Sequence, residues 1–265
     1  MKVIIEQDME GCAGILDWSY SLHQSGQLPW ATCVMTDEVN AAVEGALEAG
    51  ASEVVVLEAH PFDRERLHPK AQVHSGTLFD APRDAQALLF VGRHAMSGVV
   101  DGVLNHTGSD RSIHQVRANG RPVGELAIVA AWFGKWGTPT ALVCGDEAAC
   151  REARDFLGAV ETVAVKKGFN CHEAISLSRE EACRRIREGA RRALGRLAEF
   201  KPFTISGKVR WEIDYRSAEV TDWICRLPNL QRIGAFTTRF DAEEYEAALR
   251  MYYAQGAMLY RYDAF

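Results

Sequence analysis

Short, unbroken runs of β-branched and large apolar residues recur through the first half of the chain with helical stretches between them. No other feature constrains the fold as strongly. Val3–Gln7 opens the series, Glu53–Leu57 and Ala87–Val91 repeat it, and Pro139–Cys144 runs into Gly145-Asp146. Strands that lack polar alternation are buried on both faces, the condition of a parallel sheet covered by helices. Thr36–Ala49 places Val39, Val43, Ala46 and Leu47 on one helical face and stops at Gly50. Such alternation predicts an α/β fold, three layers α/β/α around a mainly parallel sheet. Ile113–Ala118 and Pro122–Gly124 flank Asn119-Gly120, a two-residue hairpin signal, and Glu125–Lys135 reads as a helix.

The second half has a different texture. Ser178-x-x-Glu181 is a capping box for a long helix reaching about Glu199. Val209, Trp211, Ile213 and Tyr215 alternate with Arg210, Glu212 and Asp214, so this strand buries one face only. Thr221–Leu227 is a short helix, Arg232–Arg239 a further strand, and Asp241-x-x-Glu244 a capping box for a final helix, Ala242–Tyr260. The expected organisation is an α/β metal-binding catalytic domain over 1–150 and a smaller, closely packed α+β domain over 151–265. The boundary between them is soft, within 147–170. No internal repeat or Pro/Ser-rich linker interrupts the chain.

A net charge of −6 and a pI near 5.8 exclude the basic face of a general nucleic-acid binder. No apolar run approaches the roughly 20 residues that span a bilayer, and the start, Met1-Lys2-Val3-Ile4-Ile5, meets Glu6 and Asp8 too soon for a signal peptide. Neither a nucleic-acid nor a membrane partner is expected, and the cytoplasm is the expected location. Cys12, Cys33, Cys144, Cys150, Cys171, Cys183 and Cys225 are odd in number and scattered, which suits free thiols in a reducing compartment.

Ligands of open α/β sheets bind at the carboxyl ends of the strands, and three of these strands end in metal-type residues. The first runs into Asp8-Met9-Glu10-Gly11, where two carboxylates two apart point the same way while the chain stays extended, and Gly11 lets the backbone turn away. The second reaches His60 and the third His94, and Glu125 opens the helix after the hairpin. Singly, such a carboxylate is more often a helix cap or a surface charge than a ligand. Together, consecutive core strands deliver Asp/Glu, His and His to one sheet edge. Asp8, Glu10 and Glu125 bring three negative charges, which balance two divalent ions sharing a hydroxide. A carboxylate–imidazole set suits zinc, and also manganese or cobalt. Two ions roughly 3.5–4 Å apart polarise a carbonyl and activate water, as aminopeptidases require. His106, among small and polar residues, is either a proton-transfer or oxyanion group or an exposed loop histidine.

Asp8-Met9-Glu10-Gly11, His60, Gly92-Arg93-His94-Ala95, Asn105-His106-Thr107 and Asn119-Gly120-Arg121-Pro122-Val123-Gly124-Glu125 match, in order and spacing, the zinc D-aminopeptidase family, which the chain resembles over most of its length. The resemblance implies two zinc ions per subunit, Asp8 as the bridging carboxylate, and Glu10, His60, His94 and Glu125 as the remaining ligands. It implies His106 as the catalytic residue and a ring-shaped homodecamer. The implied substrates are short peptides, typically with an amino-terminal D-residue. Glu6 departs from the family, which usually has Ser there; it either adds a carboxylate beside the metals or pairs with an Arg such as Arg93. The alternatives to an aminopeptidase are a two-metal hydrolase of another amide or ester and a non-catalytic peptide-binding protein.

Overall fold

The computed structural model describes residues 1–20 and 26–263. Its strands are β1 (Lys2–Gln7), β2 (Glu53–Leu57), β3 (Ala71–His74), β4 (Ala87–Arg93), β5 (Ile113–Ala118), β6 (Arg121–Pro122), β7 (Thr140–Asp146), β8 (Glu161–Gly168), β9 (Ala174–Ser176), β10 (Val209–Tyr215), β11 (Gln231–Arg232) and β12 (Thr237–Ala242). Its helices are α1 (Leu28–Glu48), α2 (Glu125–Lys135), α3 (Glu147–Leu157), α4 (Arg179–Gly195), α5 (Ala218–Ile224) and α6 (Tyr245–Asp263).

The larger sheet has the order β3-β2-β1-β4-β7-β8-β9 and is parallel except at β9. β1 lies between β2 and β4, with Ile5 opposite Val56 and Leu89. Val3 and Ile5 join one core cluster with Val34, Val39 and Val43 of α1 and Ile186 and Ala190 of α4. Ile4, Leu88 and Phe90, of opposite parity, are also fully buried. The sheet is therefore covered on both faces, as its unbroken apolar strands require. α1 starts two turns before the expected Thr36. Pro29 sits in its first turn, where its missing N–H is no loss, and Ala31, Val34 and Met35 add buried surface.

The smaller sheet, β11-β12-β10-β5-β6, is antiparallel. Asn119 (φ 52°) and Gly120 (φ 83°) turn the β5–β6 hairpin with the two positive φ values that its shortest loop demands. Val209, Trp211, Ile213 and Tyr215 are buried as expected, and Trp211 meets Tyr245 and Tyr252 of α6 edge-on or tilted. Tyr245 Oη donates to the Ile128 carbonyl of α2 at 2.6 Å, tying that helix down.

Three expectations are corrected. Arg232–Arg239 is not one strand but a hairpin, β11 and β12, closed by Ile233 N donating to Thr237 O. β12 continues through Asp241 and Ala242, so the last helix begins at Tyr245. The division of the chain also differs from 1–150 and 151–265. One unit comprises Met1–Ala95, Val99–Leu104 and Phe133–Phe203, the other Met96–Gly98, Asn105–Trp132 and Thr204–Phe265. The cause is strand pairing: β5 bonds to β10, far along the chain, while β8 and β9 extend the parallel sheet.

Candidate metal centre

Backbone contacts bring the carboxyl ends of β1 and β4 together. Asp8 N donates to Val91 O at 2.8 Å, and Gly11 N to Gly92 O at 2.7 Å. Gly92 has φ +76°, and a Cβ there would lie 1.9 Å from Asp8 O. Gly11 lies within the expected turn, closed by Cys12 N donating to Met9 O, but it does not adopt a positive φ. Its requirement is closeness, because a Cβ would lie 2.2 Å from Arg93 O. The first unit thereby delivers Asp8, Glu10 and His94 to one place, with ligand atoms within 4.8 Å of one another. His60, three residues beyond β2, joins them.

The Asp8 carboxylate faces two ways. Oδ1 accepts from Met9 N at 2.8 Å and lies 3.1 Å from His60 Nε2. Oδ2 lies 2.8 Å from Arg93 Nη1 and 3.3 Å from His94 Nε2. Glu10 Oε2 is 3.4 Å from His60 Nε2. His94 Nδ1 stands 2.9 Å from Ala95 O. A carbonyl only accepts, so Nδ1 carries a proton, which fixes the ring and leaves Nε2 as the nitrogen turned toward Asp8. Burial pushes the Asp8 carboxyl up, but Arg93, His94 and His60 outweigh it and hold the group well below the usual carboxylate range. Desolvation opposes charge on His60, yet Glu10 and Asp8 raise its pKa well above the usual value. Both directions describe a negative cluster that favours positive charge beside it. Glu10 Oε2 is buried without a hydrogen bond among the described residues. Two buried carboxylates and two facing imidazoles fit a zinc-type dication.

In the second unit, Glu125 is the first residue of α2. Its Oε1 accepts from Gly108 N at 2.7 Å and lies 3.8 Å from His106 Nε2. The loop around His106 is fixed by Gly98 N donating to Asn105 Oδ1 at 2.8 Å and Ser97 N to Thr107 Oγ1 at 3.2 Å. Of the expected site residues, Asp8, Glu10, His60 and His94 thus meet in one unit, and His106 and Glu125 in the other.

Sequence reasoning missed two buried groups that hold the Glu10 loop. Lys166 Nζ donates to the carbonyls of Glu10 (2.6 Å), Cys12 (2.9 Å) and Ile15 (2.5 Å). Glu38 Oε1 accepts from Ala13 N at 2.8 Å. Burial pulls Lys166 down to about 8, against the raising effect of Asp146 and other acidic neighbours. Burial raises Glu38 to about 7. Glu6, the departing residue, pairs with Arg93. All seven cysteines are free, and among the described residues no helix is long and apolar enough to cross a membrane.

Known proteins resemble this chain over nearly its whole length. The sequence profile of the D-aminopeptidase family matches residues 1–254. A D-aminopeptidase of Bacillus subtilis (strain 168) is 29% identical over 266 aligned positions, which cover 95% of this chain and 96% of the relative. Among solved structures, the Zn-dependent D-aminopeptidase DppA from Bacillus subtilis, a self-compartmentalizing protease, superposes with a TM-score of 0.93. It is 27% identical over 98% of both chains.

Proposed function

We propose, for a chain that belongs to the D-aminopeptidase family, that it is a two-zinc aminopeptidase removing amino-terminal residues, D-residues in particular, from short peptides. The observation that carries this reading is the Asp8 carboxylate, whose two oxygens face two different imidazoles, His60 and His94. A carboxylate shared between two ions needs that disposition. Glu10, His60, His94 and Glu125 would hold the two ions together with Asp8, and the three carboxylates among them would offset most of the charge of two dications. When bound, the two ions supply Lewis acidity and a water acidic enough to attack at neutral pH.

The remaining work falls to the chain's own residues. The hydrogen bond from His94 Nδ1 to Ala95 O keeps Nε2 on the cluster side. Lys166 and Glu38 hold the loop from Glu10 to Ile15, so Glu10 need not be ordered when substrate arrives. His106 transfers a proton or donates to the oxyanion, and the bonded loop around it limits its motion. The self-compartmentalizing relative supports a homo-oligomer, for which we propose the ring decamer that admits short peptides and excludes folded proteins. Free cysteines throughout support the cytoplasm.

The test is a panel of D- and L-aminoacyl amides and di- and tripeptides offered to the zinc-loaded protein. Turnover of substrates with an amino-terminal D-residue, abolished by a chelator and restored by zinc, is the expected result. A fully loaded protein that hydrolyses none of them would sink the aminopeptidase reading.

A further inference from the structure

Glu6 precedes Asp8 by two residues at the end of β1, so both side chains leave on the same side of the strand. Arg93, at the end of the adjacent β4, forks between them. Its Nη2 donates to Glu6 Oε1, and its Nη1 lies 2.8 Å from Asp8 Oδ2. The three residues are buried together, with Glu6 6%, Asp8 4% and Arg93 1% exposed. The guanidinium also lies over the Phe90 ring, 5.5 Å from its centre.

A guanidinium does not shed its proton in a protein. Arg93 is therefore a fixed positive charge against the same Asp8 oxygen that faces His94. Left alone with Asp8, it would engage that carboxylate with both arms of its fork and compete with any cation for it. A second carboxylate on the far side divides the fork and cancels the charge. The geometry points to Glu6 as a positioning residue of the metal centre, acting through Arg93 to leave the charge of Asp8 available to a divalent cation. The inference rests on the metal-centre reading above, but the reading does not depend on it.

Zinc dissociation constants, measured on the metal-free full chain by competition with a chromophoric chelator, test it without an activity assay. Glu6→Gln weakens zinc binding about 10–100-fold, the range typical when a group supporting a metal ligand is removed. Glu6→Asp, which keeps the charge, recovers most of the loss. The double variant Glu6→Gln/Arg93→Gln restores the wild-type net charge and binds within about 5-fold of it. It supplies the result if the single variant fails to fold. Melting temperatures of the metal-free proteins are recorded alongside. A salt bridge that serves only the fold lowers the melting temperature and leaves the zinc constant unchanged, which overturns the inference. A double variant more than about 10-fold weaker than wild type overturns it as well. A wild-type chain that binds no zinc defeats the metal-centre reading itself, and the inference with it.

Discussion

Replacing Glu38 by glutamine removes a carboxyl that the fold keeps protonated far above its ordinary range. Glu38 is fully buried on the core side of α1. Desolvation raises its pKa from 4.5 to about 7, against the lowering effects of hydrogen bonds from Ala13 and Cys12 and of the Lys166 charge. Between those pH values the folded protein holds a proton that the unfolded chain releases. The stabilisation is fully present below about pH 4.5 and is lost as the pH rises through about 7. Each pH unit of that window is worth about 1.4 kcal/mol, so crossing it removes roughly 3 kcal/mol. Glutamine keeps the oxygen that accepts from Ala13 N and has no charge to lose. Urea unfolding of metal-free wild type and Glu38→Gln, from pH 4.5 to about 7, isolates the effect. Titrating groups that do not interact with Glu38 cancel in the difference, and Lys166, which does interact with it, titrates only at about 8. Relative to the variant, the wild type loses roughly 3 kcal/mol across the range. A difference that stays constant within about 0.5 kcal/mol would refute the reasoning, since additive, pH-independent changes fall in that range.

His106→Ala is expected to lower kcat by about 10²–10⁴-fold with zinc content unchanged; loss of a zinc equivalent would make His106 a ligand instead. Gly92→Ala drives a Cβ to within 1.9 Å of Asp8 O at a φ of +76°, and urea unfolding should report a loss above about 3 kcal/mol. A variant within about 1 kcal/mol of wild type would show that the strand ends give way easily. Lys166→Met leaves three buried carbonyls without their donor, for a loss of roughly 3–5 kcal/mol by the same assay. A loss below about 1 kcal/mol would mean that the loop is held by its other bonds.

The parallel sheet was legible because β1, β2, β4 and β7 carry unbroken apolar runs, and Asp8 and His94 were legible as candidate ligands because each directly follows one of those strands. Parity was less reliable. It places Glu6 and Asp8 on one side, both touching Arg93, but β1 ends at Gln7 and Glu10 arrives through a turn in which Cys12 N bonds to Met9 O. Lys166 was hidden by a bulge. The register shift between Gly145 and Asp146 sets Lys166 opposite Asp146 and turns it inward beside the equally buried Val165, whereas Lys166-Lys167 reads as a solvated pair. Glu38 left a signal that could have been used, for it continues the helical stripe of Ala31, Met35 and Ala42. The pairing of β5 with β10 left none, because an antiparallel partner far along the chain has no local periodicity.

The most direct measurement is the zinc bound per chain after complete chelation, reloading and removal of excess metal, for wild type and Asp8→Ala. A shared carboxylate at the centre of a two-ion site predicts two equivalents in the wild type and less than one in the variant. One equivalent in the wild type, or two retained without Asp8, would contradict it.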